Sequence, residues 1–226
     1  MAITHLPSTR PSASIRERLF SQFGHPRGTL GRLAGRVMAW ENARANALVV
    51  DVLGVGPDDA VLDVGSGPGV AVAAALARAP RGFVAGVDSS PVMVGQARRR
   101  NRAAIRAGRA AIEHGDATAL PFPAGRFTRA LSVNAVRHWH DVPAGVRELH
   151  RVLRPGGRVA IALRAQRDAG ARDPHAHGAG DTDIQALAAL LREGGFDAVE
   201  RRTHDLGRET LVTLLARRPG EPSRAG

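Results

Sequence analysis

The sequence predicts a doubly wound α/β fold, in which helices cover both faces of a mostly parallel seven-stranded sheet. Three observations predict it. Short apolar runs alternate with helical segments, a glycine-rich loop joins the first run to a helix, and a hairpin pattern closes the chain. The alternation predicts parallel pairing, because a helical crossover brings each strand back in the same direction. The terminal hairpin adds an antiparallel strand.

Five apolar runs are the predicted parallel strands. In order, they are residues 60–64, 83–87, 112–114, 129–133 and 158–163. The predicted helices of this core are residues 71–79, 91–107, 143–153 and 183–193. A Pro-Gly-Gly turn is predicted between the third of these helices and the fifth strand. The hairpin strands are residues 199–205 and 210–217, separated by a Gly-Arg turn.

Composition divides the chain into three parts. Residues 1–55 are interpreted as a flexible tail and a short helical lid, because Pro and Ser are dense at the start and a helical apolar pattern follows. Residues 56–218 form the core domain and residues 219–226 a second tail. The lid contains Phe20, Phe23 and Trp40, which would either cover a flat or apolar ligand or dock the lid on the core.

Composition also excludes several kinds of chemistry. The chain has no Cys, Lys or Tyr, which excludes disulfides, thiolate metal sites, Schiff-base lysines and phenolic acids or bases. The net charge of +11 comes from Arg, and we attribute it mainly to compositional bias, so a nucleic-acid partner is not expected. No apolar run is long enough to span a membrane, and we expect a cytoplasmic protein.

One internal segment, residues 165–182, is rich in Gly, Ala, His and Asp. It places His175 and His177 close to Asp173 and Asp181, and imidazole and carboxylate groups are metal ligands. A Gly- and Ala-rich loop offers no rigid scaffold for them. We therefore interpret the segment as a linker and predict no metal site.

The first predicted strand continues into a glycine-rich loop, VLDVGSGPGV at residues 61–70. Glycines suit a tight turn at which the backbone closely approaches a ligand. Asp63 precedes the loop, where a carboxylate would repel a pyrophosphate and attract a cation. The loop therefore favours a ligand with an ammonium or sulfonium group over a dinucleotide.

Two more carboxylates follow the next two strands. Asp88 ends the second strand in GVDSSPVM, at a distance from the glycines where an acid accepts hydrogen bonds from ribose hydroxyls. Met93 lies near the start of the next helix, and its thioether would pack on a purine face. Asp116 follows the third strand in GDATALPF, where it would accept a hydrogen bond from an adenine amino group.

These segments, together with a fourth strand and LHRVLRPGGRVAIAL at residues 149–163, resemble the class I S-adenosylmethionine-dependent methyltransferases, which have a Rossmann-like fold. The likeness is greatest to the small-molecule branch with the ubiquinone/menaquinone-type enzymes (methyltransferase type 11-like), and it extends over residues 60–217. It implies S-adenosyl-L-methionine as cofactor. It also implies methyl transfer to an O, N or C nucleophile of a small molecule, with secondary metabolism as a candidate setting.

The resemblance further implies roles for residues at matching positions. The glycine loop would line the methionine portion of the cofactor, with Asp63 near its ammonium group. Asp88 would hold the ribose, while Asp116 and the Ala117 backbone would hold the adenine edge. Asn134, after the fourth strand, would offer a carbonyl or its side chain. The complete set of expected cofactor-binding residues is Asp63, Gly65, Ser66, Gly67, Gly69, Asp88, Ser89, Met93, Asp116, Ala117 and Asn134.

A catalytic base is needed only when the acceptor is an alcohol or phenol, because an acidic nucleophile needs no further help. In the resembled branch, the segment after the fourth strand faces the substrate. Here that segment reads SVNAVRHWHD, residues 132–141, and contains His138 and His140. Imidazole ordinarily titrates near neutrality, so both histidines are candidate bases. The alternative is that the segment only packs and that neither histidine acts as a base.

Two other functions stay open. An RNA or DNA methyltransferase would benefit from the positive charge. However, residues 134–137 read Asn-Ala-Val-Arg and lack the Asn/Asp-Pro-Pro-aromatic motif of enzymes that methylate exocyclic amines, and the absence of Cys excludes the cysteine-dependent mechanism. A cofactor-binding protein or a cyclase on the same fold, without methyl transfer, would keep the same cofactor motifs.

Overall fold

The computed structural model describes residues 43–165, 178–207 and 209–220. One sheet has its seven strands in the order β3-β2-β1-β4-β5-β7-β6. All neighbouring pairs are parallel except those of β7, which runs antiparallel to β5 and β6. The strands are β1 (Ala60–Val64), β2 (Phe83–Asp88), β3 (Ala110–His114), β4 (Phe127–Val133), β5 (Leu153–Ala165), β6 (Asp197–Asp205) and β7 (Thr210–Arg217).

Helices cover both faces of this sheet. They are α1 (Ala43–Leu53), α2 (Val70–Arg78), α3 (Pro91–Arg100), α4 (Arg102–Arg106), α5 (Val142–Val152) and α6 (Asp181–Glu193). Side chains alternate along β1, so that Leu62 packs with α5 and α6 on one face and Val61 packs with α1 and α2 on the other. The doubly wound, mostly parallel sheet that the sequence predicts is confirmed.

Two local predictions were wrong. The helix predicted at residues 91–107 is divided into α3 and α4 at Asn101, whose buried side chain donates hydrogen bonds to Gly69 O (3.1 Å) and Ala97 O (3.0 Å). The predicted Pro-Gly-Gly turn lies within β5 as an irregularity of pairing. Phe127 pairs with Leu153, the next pair joins Arg129 to Arg158, and residues 154–157 lie between these two pairs.

The N-terminal region is described from α1 onward. The side chains of Ala45, Val49 and Leu53 are fully buried in the same cluster as the sheet, so α1 packs on the sheet. The aromatic residues predicted for the lid lie outside the described residues, as do His175 and His177. The boundaries at residues 55–56 and 218–219 stay predictions.

Two features are absent from the residues that the structure describes. No helix in this part of the chain has the length and hydropathy of a membrane span. Within the same ranges, no group of three or more His, Cys, Asp or Glu side chains is arranged to hold a metal ion.

Candidate cofactor and active site

The candidate site lies at the carboxyl ends of β1 and β4, where the order of the strands along the sheet reverses. Ligands of doubly wound sheets bind at this kind of position. A cavity here brings together four residues of the predicted set with four that sequence reasoning did not select. Its wall consists of Asn46, Asp63, Gly65, Ser66, Gly67, Pro68, Val70 and Val133.

The glycines of the loop after β1 have different structural roles. Gly65, Gly67 and Gly69 all have positive φ angles, of 76°, 51° and 75°. A Cβ at Gly65 would collide with the Cβ of Ala135, and one at Gly69 would lie 2.6 Å from Nδ2 of Asn101. A Cβ at Gly67 would have no atom within 4 Å. Gly67 therefore borders open space, whereas the other two glycines allow close packing within the protein.

Asp63 is a buried carboxyl beside this cavity. It is 2% exposed, and its Oδ2 has no hydrogen-bond partner among the described residues. Burial, and secondarily repulsion from Asp88, raises the pKa of Asp63 to about 8. A cationic group in the cavity would supply the missing partner. The site therefore fits a ligand that carries an ammonium group, as the sequence predicts.

We expect Asp63→Asn to stabilise the cofactor-free protein at alkaline pH. The pKa of Asp63 is about 8 in the folded protein and near the ordinary 3.8 in the unfolded chain, so between these values the folded protein holds the extra proton. Stability contributed by this group is therefore fully present below pH 4 and is lost as the pH rises towards 8. The asparagine side chain of the variant cannot ionise, so the variant should lack this loss.

Denaturant titrations of both proteins from pH 4 to pH 9 measure this effect. The variant should gain a few kcal/mol over the parent at pH 9, since one pKa unit corresponds to about 1.4 kcal/mol, and the gain should shrink towards pH 4. A difference in free energy of unfolding that does not change with pH would contradict the burial argument.

Asp88, at the end of β2, holds the glycine loop. Its Oδ2 accepts a hydrogen bond from the Gly67 N–H (2.7 Å) and its Oδ1 accepts one from the Ser90 N–H (2.9 Å). A carboxylate has about four acceptor positions, so both bonds are compatible with bonds from ribose hydroxyls. Ser89 is exposed, and its carbonyl lies 3.0 Å from Nε2 of His114. Met93 is 2% exposed and lies in the first turn of α3.

Asp116, after β3, is partly exposed, and one of its two carboxylate oxygens is already hydrogen bonded within the protein. Its Oδ1 accepts hydrogen bonds from the N–H (2.9 Å) and hydroxyl (2.8 Å) of Thr118, and it lies 3.3 Å from Nδ1 of His140. Burial opposes ionisation of Asp116, but these bonds and the nearby imidazole outweigh it and lower its pKa. Its Oδ2 has no partner among the described residues and could accept a hydrogen bond from an adenine amino group. Ala117 follows and is buried.

The first residue of the segment after β4, Asn134, is hydrogen bonded to β5. Asn134 has a φ of 57°, its N–H donates to Ala162 O (2.8 Å), and its Oδ1 accepts from the Arg164 N–H (2.8 Å). The side-chain oxygen of Asn134 is thus used in holding the segment, and its backbone carbonyl is the better candidate for a cofactor contact. Ala135 then packs against Gly65.

Trp139 and Asp141 hold the other end of this segment. A Cβ at Gly145 of α5 would lie 2.5 Å from the Trp139 ring, so the glycine makes room for the indole. Asp141 caps α5 by accepting a hydrogen bond from the Ala144 N–H (2.8 Å). His138 and His140 are both exposed on the segment held in this way, and the contact with Asp116 puts His140 at the end of β3.

Sequence reasoning also missed three polar side chains that hold or line the site. The Asn101 amide donates a hydrogen bond to Gly69 O, and Nε of Arg100 donates one to Pro68 O (2.9 Å). The end of α3 therefore holds the glycine loop in place. Asn46 lines the cavity from α1. The available signal was an Asn in an otherwise apolar buried stripe, since Ala45 and Val49 flank it on the same face of the helix.

The sheet order, the glycine loop and the carboxylates after β2 and β3 are typical of doubly wound proteins that bind a nucleoside cofactor. A family model described as a methyltransferase domain matches residues 61–157. An uncharacterised methyltransferase of Bacillus subtilis, YdaC, is 28% identical over 83% of this chain and 98% of its own length. The ubiquinone/menaquinone biosynthesis C-methyltransferase UbiE of Paracoccus denitrificans is 30% identical over 65% of this chain and 70% of its own length.

Among solved structures, the [4+2]-cyclase SpnF has the same fold. Its TM-score is 0.66 at 20% identity, over 79% of this chain and 82% of that protein. The chain belongs to the class I S-adenosylmethionine-dependent methyltransferases. Its cofactor is S-adenosylmethionine, and the resemblance inferred from the sequence motifs is confirmed.

Proposed function

We propose that the protein methylates an O, N or C nucleophile of a small molecule, with secondary metabolism as the candidate setting and the cytoplasm as its location. The observation that carries this proposal is the placement of residues 134–141, which begin against the glycine loop at Gly65 and reach Asp116. This segment carries the two exposed histidines, and His140 contacts Asp116, the proposed adenine partner. The names of the relatives agree, since UbiE is named as a C-methyltransferase of quinone biosynthesis.

Each part of the cofactor has proposed partners in the cleft. Asp63 pairs with the ammonium group, and the backbone around Gly67 lies along the methionine portion. Asp88 accepts hydrogen bonds from the ribose hydroxyls. Asp116 accepts one from the adenine amino group, and the Ala117 backbone contacts the ring edge. The remaining proposed contacts come from Gly65, Ser66, Gly69, Ser89, Met93 and Asn134.

Bound S-adenosylmethionine supplies a methyl group on a sulfonium that is already a good leaving group. The protein then contributes mainly proximity and in-line alignment. A hydroxyl acceptor also needs its proton removed, and His138 or His140 is the proposed base. An amine or a stabilised carbanion needs no such base, and in that case the histidine segment serves to close the site.

Transfer of labelled methyl groups tests this proposal. The full chain is incubated with S-adenosylmethionine labelled in its methyl group, once with a metabolite extract and once with total RNA, at physiological salt. Label in a small-molecule fraction, with matching formation of S-adenosylhomocysteine, is expected. Conversion of a metabolite without S-adenosylhomocysteine would instead support a cyclase, the activity named for the SpnF structure.

We expect RNA to bind weakly, without sequence preference, and to be released steeply as salt is added. The reason is that the charge of +11 is carried by Arg residues spread along the chain, and diffuse charge binds phosphates through counterion release. Filter binding between about 50 and 200 mM salt measures this loss. Labelled methyl groups in one discrete RNA species would overturn the small-molecule proposal.

A further inference from the structure

Asn46 is a buried amide to which the cofactor contacts above give no role. It lies on α1 between Ala45 and the apolar positions Val49, Val50 and Leu53, and it is 9% exposed. A buried amide costs free energy unless its polar atoms are hydrogen bonded. Its side chain has no hydrogen-bond partner within the described part of the chain; its polar atoms are not fully enclosed, and the residue borders the cofactor cavity. A ligand in the cavity would satisfy the amide.

The wall of this cavity determines which part of the ligand the amide meets. Asp63 is the wall's single carboxyl, and the described wall contains no Arg or His. The amino-acid portion of S-adenosylmethionine carries an ammonium group, which suits Asp63, and a carboxylate, which ionised Asp63 repels. The carboxylate therefore needs a neutral donor.

With Asp63 ionised by the bound ammonium group, two side chains of the described wall can donate a hydrogen bond, those of Asn46 and Ser66. The Ser66 hydroxyl is buried against β2, because a Cβ at Gly86 would lie 3.0 Å from its Oγ. Asn46 is the remaining side-chain donor, and it lines the cavity from α1 and not from the glycine loop. Its amide nitrogen carries two N–H groups, and an amide donates without adding charge beside Asp63.

We propose that the Asn46 amide donates a hydrogen bond to the α-carboxylate of S-adenosylmethionine and selects cofactors that carry this group. The inference rests on the proposed placement of the cofactor in this cleft. It makes α1 part of the cofactor site, so the N-terminal region contributes to cofactor binding from outside the residues that the family model matches.

Calorimetry with two ligands tests the proposal. Decarboxylated S-adenosylmethionine differs from S-adenosylmethionine only in the missing carboxylate. Asn46→Ala should weaken binding of S-adenosylmethionine about tenfold or more, as expected for a hydrogen bond to a charged group, and should leave binding of the decarboxylated ligand nearly unchanged. Asn46→Asp should weaken S-adenosylmethionine further and spare the decarboxylated ligand, because two carboxylates would then face each other.

Two controls separate binding from folding. Ala47→Asn places the same amide on the exposed side of α1 and should leave both affinities unchanged. The ligand-free Asn46→Ala protein should melt no lower than the parent, because it loses a buried amide without a described partner. Should it not fold, Asn46→Ser provides the same comparison of ligands.

Equal weakening of both ligands, or unchanged affinity for S-adenosylmethionine, would overturn the role of Asn46. Failure of the cofactor placement itself has a different signature, which is unchanged affinity for S-adenosylmethionine in a folded Asp88→Ala protein.

Discussion

Asp88→Ala is expected to weaken the binding of S-adenosylmethionine at least tenfold. Asp88 ends β2, where its carboxylate would accept hydrogen bonds from the ribose, and bonds to a charged group contribute about 1.5–3 kcal/mol each. Its oxygens also accept the N–H groups of Gly67 and Ser90, so the variant loses the bond that positions the glycine loop. Both losses act in the same direction, and calorimetry with the cofactor measures their sum.

Two further variants test whether the loss of affinity comes from the acceptor oxygens of Asp88 and not from the loss of a negative charge in general. Asp88→Asn keeps one acceptor oxygen and should lie between the parent and the alanine variant in affinity. Asp58→Ala removes the same charge from an exposed aspartate that pairs with Arg81. Asp58 precedes the amino end of β1, whereas the candidate site lies at the carboxyl ends of the strands. The Asp58→Ala protein should bind the cofactor as the parent does. Unchanged affinity in a folded Asp88→Ala protein would refute the placement of the ribose.

The strands were predictable because burial determines their composition. The central parallel strands β1 and β2 are fully or mostly buried between two layers of helices, so they appear in the sequence as short apolar runs, and β1 occupies the predicted residues. The break between α3 and α4 was not predictable in this way. It depends on Asn101 reaching Gly69, 32 residues earlier in the chain, and local periodicity contains no information about such a contact.

The same distinction between local patterns and long-range contacts holds for the candidate site. A carboxylate that follows an apolar strand is visible in the sequence, and Asp63, Asp88 and Asp116 were found in this way. Contacts between loops were not visible. The packing of Ala135 on Gly65 and the pairing of His140 with Asp116 both require knowing that the loop after β4 crosses the carboxyl edge of the sheet.

The positions of the two histidines lead to different expectations for their variants. His138 ends a short 3-10 turn, residues 136–138, beside the segment that packs on the glycine loop, whereas His140 contacts the proposed adenine partner Asp116. His140→Ala is therefore expected to weaken cofactor binding as well as any base catalysis. His138→Ala should leave cofactor affinity nearly unchanged, which makes it the cleaner test of a base.

If the acceptor is a hydroxyl, His138→Ala should lower the turnover number by about 10²–10⁴-fold, the usual contribution of general-base catalysis. Should His138→Ala keep full turnover, the same reduction is expected of His140→Ala. The reason is chemical: a hydroxyl keeps its proton at neutral pH, and the chain has no Lys, Cys or Tyr to remove it. The turnover of the parent should rise with pH, because only neutral imidazole accepts a proton.

His204→Ala is the matched control, since it removes an imidazole from β6, at the other end of the sheet, and should keep the turnover number. His138→Gln retains a polar side chain without a basic nitrogen and should be as slow as the alanine variant. Full turnover in both His138→Ala and His140→Ala would contradict base catalysis by this segment. The acceptor would then be an amine or a stabilised carbanion, whose lone pair or negative charge is already available for in-line attack on the methyl group, and alignment by the protein would be sufficient.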